Sequence, residues 1–202
     1  MRTYAGINEQ DKRGDVLLDI ARNAIARELG WGEGSVVPSG VPWLDAQGAT
    51  FVTLRLDGEL TGCIGTINAY RPLAEDVAAN AVHAAFRDPR FPPLAPADFD
   101  RLNIEVSELS QPTPLTFDNE ADAAARLRPG VHGVVLRLGE RMGTFLPQVW
   151  VHYPDARSFL RGLKQKAGLP ADFWSANIRL EVYTVVKHRV PAGVVTCDGA
   201  LS

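Results

Sequence analysis

The apolar side chains of this chain change their period partway along it, and that change limits the fold more than any other feature. From Asp15 to Leu29, Val16, Leu17, Ile20, Ala24, Ile25 and Leu29 recur at three- and four-residue intervals beneath Arg22, Arg27 and Glu28, which predicts an amphipathic helix stopped by Gly30. From Ala49 the period is two. Phe51 to Leu56, Asp57-Gly58 and Glu59 to Thr66 read as a hairpin whose turn residues tolerate positive φ. With a two-residue loop, Leu56 faces Glu59, Val52 faces Cys63 and Phe51 faces Ile64.

The same alternation of periods continues. Arg71-Pro72 opens a helix to Phe86, with Glu75 and Asp76 near its positive end and Leu73, Val77, Ala81, Val82 and Ala85 inward. Pro89, Pro92, Pro93 and Pro96 end it, and Leu102 to Glu108 alternates as a half-buried strand. Gln111 to Phe117 reads as a connector, and Asp118 to Leu127 as an Ala-rich helix closed by Pro129-Gly130. A second hairpin turns at Gly139-Glu140, Asp155 caps a helix through Ala167, and Asn177 to Lys187 reads as one long strand. Helices mixed with hairpins and no repeating unit predict an α+β fold with mixed or antiparallel sheets. The segment from Trp31 to Gly48, rich in Gly and Pro, reads as a long loop pinned by Trp31 and Trp43 that could shape a pocket.

Charge and cysteine usage narrow the function classes. Twenty-one Lys plus Arg against 24 Asp plus Glu leave a net charge of −3, which disfavours a broad contact with nucleic acid. The two cysteines, Cys63 and Cys197, do not suggest a disulfide framework, and a reducing compartment is the simpler assumption. Met1 to Gly14 is polar and lacks the apolar run of about 7–15 residues that a secretory signal needs, and no stretch nears the roughly 18–20 apolar residues of a membrane span. The expectation is a cytoplasmic protein with no membrane contact.

Few familiar catalytic patterns are present. His83, His132, His152 and His188 form no short ligand pair with each other or with the cysteines, so no metal site and no cofactor is expected. Phosphate-loop and serine-hydrolase signatures are absent as well. The unusual feature is Leu60 to Thr66, where Gly62 and Gly65 flank Cys63 inside a strand. One reading is a thiol presented in a notch beside exposed backbone amides, a nucleophile or sensor for which His132 could serve as base. The other is that Cys63 is a small buried hydrophobe opposite Val52, with glycines that allow a bulge or helix packing. Asp88 and Arg90 divide in the same way: Arg90 could grip an anionic ligand group, or the pair could only complete a turn. His83, Trp150, Phe173, Trp174 and Tyr183 read as packing residues.

Six blocks in order, LTGCIGT, RPLAEDVAANAVHAAFRDPRFPPL, LNIEVSELSQPTPL, RPGVHGVVL, GTFLPQVW and FLRGLKQKAGLP, resemble the AMMECR domain family, whose prokaryotic branch is called AmmeMemoRadiSam system protein A. The resemblance spans Gly14 to His188 as a single domain between two tails, 1–13 and 189–202. It implies an α+β fold with a larger lobe from both chain ends and a smaller one from the middle. It also implies association with a Memo-like protein and a radical SAM protein, and, through the fold, a third alternative of nucleotide or RNA binding. The family's six-residue hallmark falls on Leu60, Thr61, Gly62, Cys63, Ile64 and Gly65, with Thr61 where the family commonly has arginine; Asp88 and Arg90 carry over directly. A neighbouring cation would activate a thiol, and Thr61 supplies none.

The resemblance names a domain and not a reaction. Two function classes follow. The first is a partner module whose LTGCIG segment packs or docks. The second is an enzyme or binder of a small anionic ligand in which Cys63 and His132 are catalytic and Thr61, Gly62, Gly65, Asp88 and Arg90 contact the ligand. The first is taken forward, because no complete catalytic constellation can be assembled from the residues.

Overall fold

A computed structural model describes residues 9–31 and 41–189. The chain is α+β and divides into two compact units, one holding the described residues up to Glu108 together with those from Lys187, the other Leu109–Val186. No helix among the described residues is long and apolar enough to cross a membrane.

In the first unit, α1 (Glu9–Glu28) begins earlier than the sequence pattern predicts, so Lys12 to Gly14 are helical. It ends as predicted. Gly30 adopts φ 76°, and the Trp31 N–H returns to the Ala26 carbonyl at 2.9 Å, the closing bond of a glycine-capped helix. The predicted loop of 31–48 is partly regular instead: a short helix α2 (Pro42–Asp45) precedes β1 (Gln47–Leu56), and 32–40 lie outside the described residues. Then come β2 (Glu59–Gly65), the two-residue β3 (Arg71–Pro72), α3 (Leu73–Phe86) and β4 (Leu102–Leu109).

In the second unit the elements are β5 (Thr113–Pro114), α4 (Glu120–Arg126), β6 (Gly133–Leu138), β7 (Arg141–Phe145), α5 (Ala156–Lys166) and β8 (Arg179–Tyr183). The Asp155 cap is as read, and Asn119 caps α4 in the same way. Asp155 accepts the Ser158 N–H at 2.7 Å, and Asn119 accepts that of Asp122 at 3.0 Å. The single strand expected from Asn177 to Lys187 is broken at Thr184. Its first part is β8, and its second, β9 (Val185–Arg189), belongs to the other sheet. Alternation alone could not reveal this, because the side-chain period is the same on both sides of the break.

One sheet has the order β2-β1-β4-β9, with β3 paired to β1; the other has the order β5-β8-β6-β7. The pairs β1/β2, β6/β7 and β6/β8 are antiparallel. In the first unit, Leu17, Ala21 and Ile25 of α1 and Val77, Ala81 and Ala84 of α3 pack with Val52, Leu54, Ile104 and Val106 of the sheet. In the second, Phe159, Leu160 and Leu163 of α5 cover Val134, Leu136 and Leu180, and Trp150 stacks on Phe159 with centroids 3.7 Å apart. Each fully buried Leu, Ile or Phe contributes about 1.5–3 kcal/mol of apolar transfer to these cores.

Candidate functional site

The hairpin turn forms as its residues require, with Asp57 at φ 50° and Gly58 at φ 90°, and Leu56 faces Glu59. Beyond Leu60 the register departs from the simple count. Arg55 pairs with Leu60, but Leu54 pairs with Gly62, so Thr61 is an extra residue bulged out of the ladder. Cys63 therefore faces Thr53, not Val52, and Ile64 takes the place opposite Val52. The bulge turns the hallmark segment over. Gly62 and Ile64 join the helix-covered face with Leu54 and Val52, while Cys63 shares the opposite face with Thr53 and lies half-buried, its Sγ 3.4 Å from the Thr53 hydroxyl.

Both glycines are needed for close approach within the protein itself. A Cβ on Gly62 would stand 2.1 Å from the Ala84 carbonyl oxygen, where the last turn of α3 presses on β2. A Cβ on Gly65 would stand 2.2 Å from the Phe51 ring.

β2 is an edge strand, and its outward main-chain groups at Cys63 are covered by two side chains from the proline-rich loop after α3. The Asp88 carboxylate accepts the Cys63 N–H at 2.9 Å, and Arg90 Nη2 donates to the Cys63 carbonyl at 2.8 Å. Arg90 also grips Asp88 through Nε at 2.9 Å and Nη2 at 2.7 Å, and its own main-chain N–H closes a turn onto Asp88 at 3.1 Å. The Asp88–Arg90 pair thus substitutes for a neighbouring strand at one residue. Asp88 is 4% exposed, whereas the Arg90 side chain is 57% exposed. The Arg90 guanidinium holds the Asp88 carboxyl far below the usual carboxylate range, against the opposing effect of burial, with help from the Cys63 and Arg90 amides.

A second polar constellation lies beneath the start of α3 and was read from sequence only as a favourable charge for the helix dipole. The Asp76 carboxylate, fully buried, accepts from the Thr50 N–H at 2.8 Å, the Thr50 and Thr66 hydroxyls at 2.7 Å, Arg71 Nε and Asn80 Nδ2 at 2.9 Å. Asn80 also donates to the Thr50 carbonyl at 3.0 Å. Its signal was in the sequence: Leu73, Asp76, Val77, Asn80, Ala81 and Ala84 form one helical stripe, so two polar residues occupy core positions.

Cys63 belongs to the first unit and His132 to the second. His132 is buried, with Nδ1 3.2 Å from the Arg128 N–H and Nε2 3.0 Å from Arg128 Nε. A neutral imidazole has one acceptor nitrogen, so one of these contacts at a time is a full hydrogen bond. Burial and the Arg128 charge lower its pKa, which favours the neutral ring. Of the other candidates, Thr61, Gly62, Cys63 and Gly65 share β2, and Asp88 and Arg90 meet them at Cys63. Among the described residues no group of three or more His, Cys, Asp or Glu is placed to hold a metal ion, and Cys197 lies outside those residues.

The family model described as AMMECR1 matches residues 18–188. A protein of Methanothermobacter thermautotrophicus is 38% identical over 171 residues, covering 84% of this chain and 88% of its own. Protein MK0488 of Methanopyrus kandleri is 38% identical over 191 residues, 91% of this chain and 92% of its own. The crystal structure of protein PH0010 from Pyrococcus horikoshii superposes with a TM-score of 0.75 at 32% identity, covering 87% of this chain and 90% of that one.

Proposed function

The chain belongs to the AMMECR1 family, and from that premise we propose that it works in the cytoplasm as a partner module for a Memo-like protein and a radical SAM protein. The observation that supports this reading is the way Cys63 is held. Its N–H is committed to Asp88, its carbonyl to Arg90, and the spaces beside Gly62 and Gly65 are filled by Ala84 and Phe51. A nucleophilic site needs donors aimed at a reacting oxygen and a base beside the nucleophile. Here the nearest amide already serves an internal carboxylate, and the group beside the sulfur is a threonine hydroxyl. The segment is built as a stiff edge whose geometry a partner can rely on.

Co-expression with a Memo-like and a radical SAM protein tests this directly. A complex that survives purification at micromolar concentration and persists in Cys63→Ser supports the module. Free chains in both cases would overturn it.

A second reading keeps one observation in its favour: Cys63 is half-buried, not fully enclosed. In that reading the thiol acts on, or binds, a small anionic ligand, with Arg90 as its exposed cation. Alkylation of Cys63 in a Cys197→Ser background separates the two. Faster reaction in the folded than in the unfolded chain favours the enzyme, and protection until unfolding favours the module.

A further inference from the structure

In the second unit a lysine stands where the helix pattern calls for hydrocarbon. Leu160, Leu163 and Ala167 form the buried stripe of α5 and its cap, and Lys164 lies within that stripe with 1% of its side chain exposed. Its ammonium donates to Glu120 of α4 at 2.7 Å and faces the Trp174 ring, 5.8 Å from the centroid. Replacing a buried ion pair by apolar side chains is often neutral or stabilising, so stability alone does not account for the charge.

Lys164 also lines an open hollow of about 310 Å³, near the lower end of the range for ligand sites. The other walls are Glu120 and Ala121 from α4, Arg157 and Arg161 from α5, and Asp172. Arg157, Arg161 and Lys164 stand at i, i+4 and i+7, on one face of the helix. Two of these charges are cancelled where they stand, Lys164 by Glu120 and Arg161 by Asp172. The exposed Arg157 guanidinium has no hydrogen-bond partner among the described residues. The carboxylate whose charge it feels, Asp155, is committed to the Ser158 amide at the start of α5. The hollow therefore holds a primary amine with a carboxylate in contact, and one cation at its wall that is not bonded.

We propose that Lys164 forms a Schiff base with a small aldehyde carrying one anionic group. The ammonium passes a proton to Glu120, and the freed lone pair forms a C–N bond to the carbonyl carbon as the C=O π pair moves to oxygen. A proton on the nitrogen then moves to that oxygen. Glu120 returns its proton to the hydroxyl, which leaves as water while the nitrogen lone pair closes the C=N bond. Ammonium and aldehyde are consumed, and iminium and water are formed. The iminium keeps one N–H and the positive charge, so the pair with Glu120 survives the reaction and neither charge is left buried alone. Buried amines are a common setting for this chemistry, and the 2.7 Å contact puts Glu120 in reach of the proton transfers. Arg157 takes the anionic end. The site lies wholly in the second unit and is independent of Cys63.

The full chain is incubated with succinic semialdehyde, which ends in a carboxylate, and with butanal, the same carbon chain without it. Sodium cyanoborohydride reduces the iminium to a stable secondary amine, and peptide mass spectrometry locates it. In the folded chain succinic semialdehyde is expected to modify Lys164 at least about tenfold faster than Lys166, an exposed lysine on the same helix. Glu120→Gln keeps the shape and removes the base, and is expected to slow Lys164 by about 100-fold while leaving Lys166 unchanged. Arg157→Gln, at an exposed position, is expected to erase a preference of about tenfold for succinic semialdehyde over butanal. Modification of Lys166 with Lys164 untouched until urea unfolds the chain overturns the proposal, and that comparison needs no variant. So does an unchanged Lys164 rate in a Glu120→Gln chain whose circular dichroism is native.

Discussion

The Asp88 carboxylate accepts the main-chain N–H of Cys63 at 2.9 Å from a position that is almost fully buried. Truncating it strands that amide and leaves the Arg90 guanidinium without its anion. Asp88→Ala is therefore expected to cost about 2–4 kcal/mol in urea unfolding. Arg90→Ala should cost about 1 kcal/mol or less, because its exposed side chain gives water access to the same groups. Equal losses would show that the pair does not work by covering the strand edge.

Gly62 offers a sharper test of the same edge. An alanine there directs its methyl into the Ala84 carbonyl, a backbone atom that cannot swing aside. Gly62→Ala is expected to lose about 3 kcal/mol or more, or to fold poorly. Cys63→Ala, on the half-buried face, should lose about 1 kcal/mol, and circular dichroism melts of the two variants would rank them.

The difference between those two positions also marks how far the sequence could be read. Asp57-Gly58 announced the hairpin, because turn chemistry is local, whereas apolar residues on both faces of β1 left its buried face, that of Val52 and Leu54, unannounced. The bulge at Thr61 is not local. It adds one residue so that Ile64 lands beside Val52, and the only trace is that Ile64 would otherwise fall opposite Phe51, off the helix-covered face. Asp88 and Arg90 were legible as a turn, and their bonds to Cys63 were not, since they span 25 and 27 positions. The Asp76 network failed to register for a different reason: a charge near a helix start has a ready explanation in the dipole, which masked its place in the core stripe.

That network predicts an asymmetry between charge and shape. Both oxygens of Asp76 accept hydrogen bonds, Oδ2 from Thr50 and Asn80 and Oδ1 from Thr66 and Arg71. In Asp76→Asn the amide NH₂ must face N–H or O–H donors in either orientation. The isosteric change is thus expected to lose at least about 2 kcal/mol, and Asp76→Ala about 3–5 kcal/mol. Thermal unfolding of both would check it, and a neutral Asp76→Asn would mean that the carboxylate's charge is not needed.

Part of the pH dependence of stability should trace to Glu108, beside the contribution of Asp88. Burial on its own would raise the pKa of this carboxyl. Arg13, which bonds it through both Nε and Nη2, and His188 Nε2 at 3.3 Å outweigh that and bring it from 4.5 down to about 2. Because the folded pKa lies below the unfolded one, the stabilisation is fully present above pH 4.5 and is lost as pH falls from there toward 2. At 1.36 kcal/mol per pKa unit the shift amounts to about 3 kcal/mol at most. Urea unfolding at about pH 6 and about pH 3 is expected to show a drop of that order in the native chain. Glu108→Gln keeps the shape, lowers stability at the higher pH, and flattens the dependence; a drop of unchanged size in that variant would assign the acid sensitivity to other carboxylates.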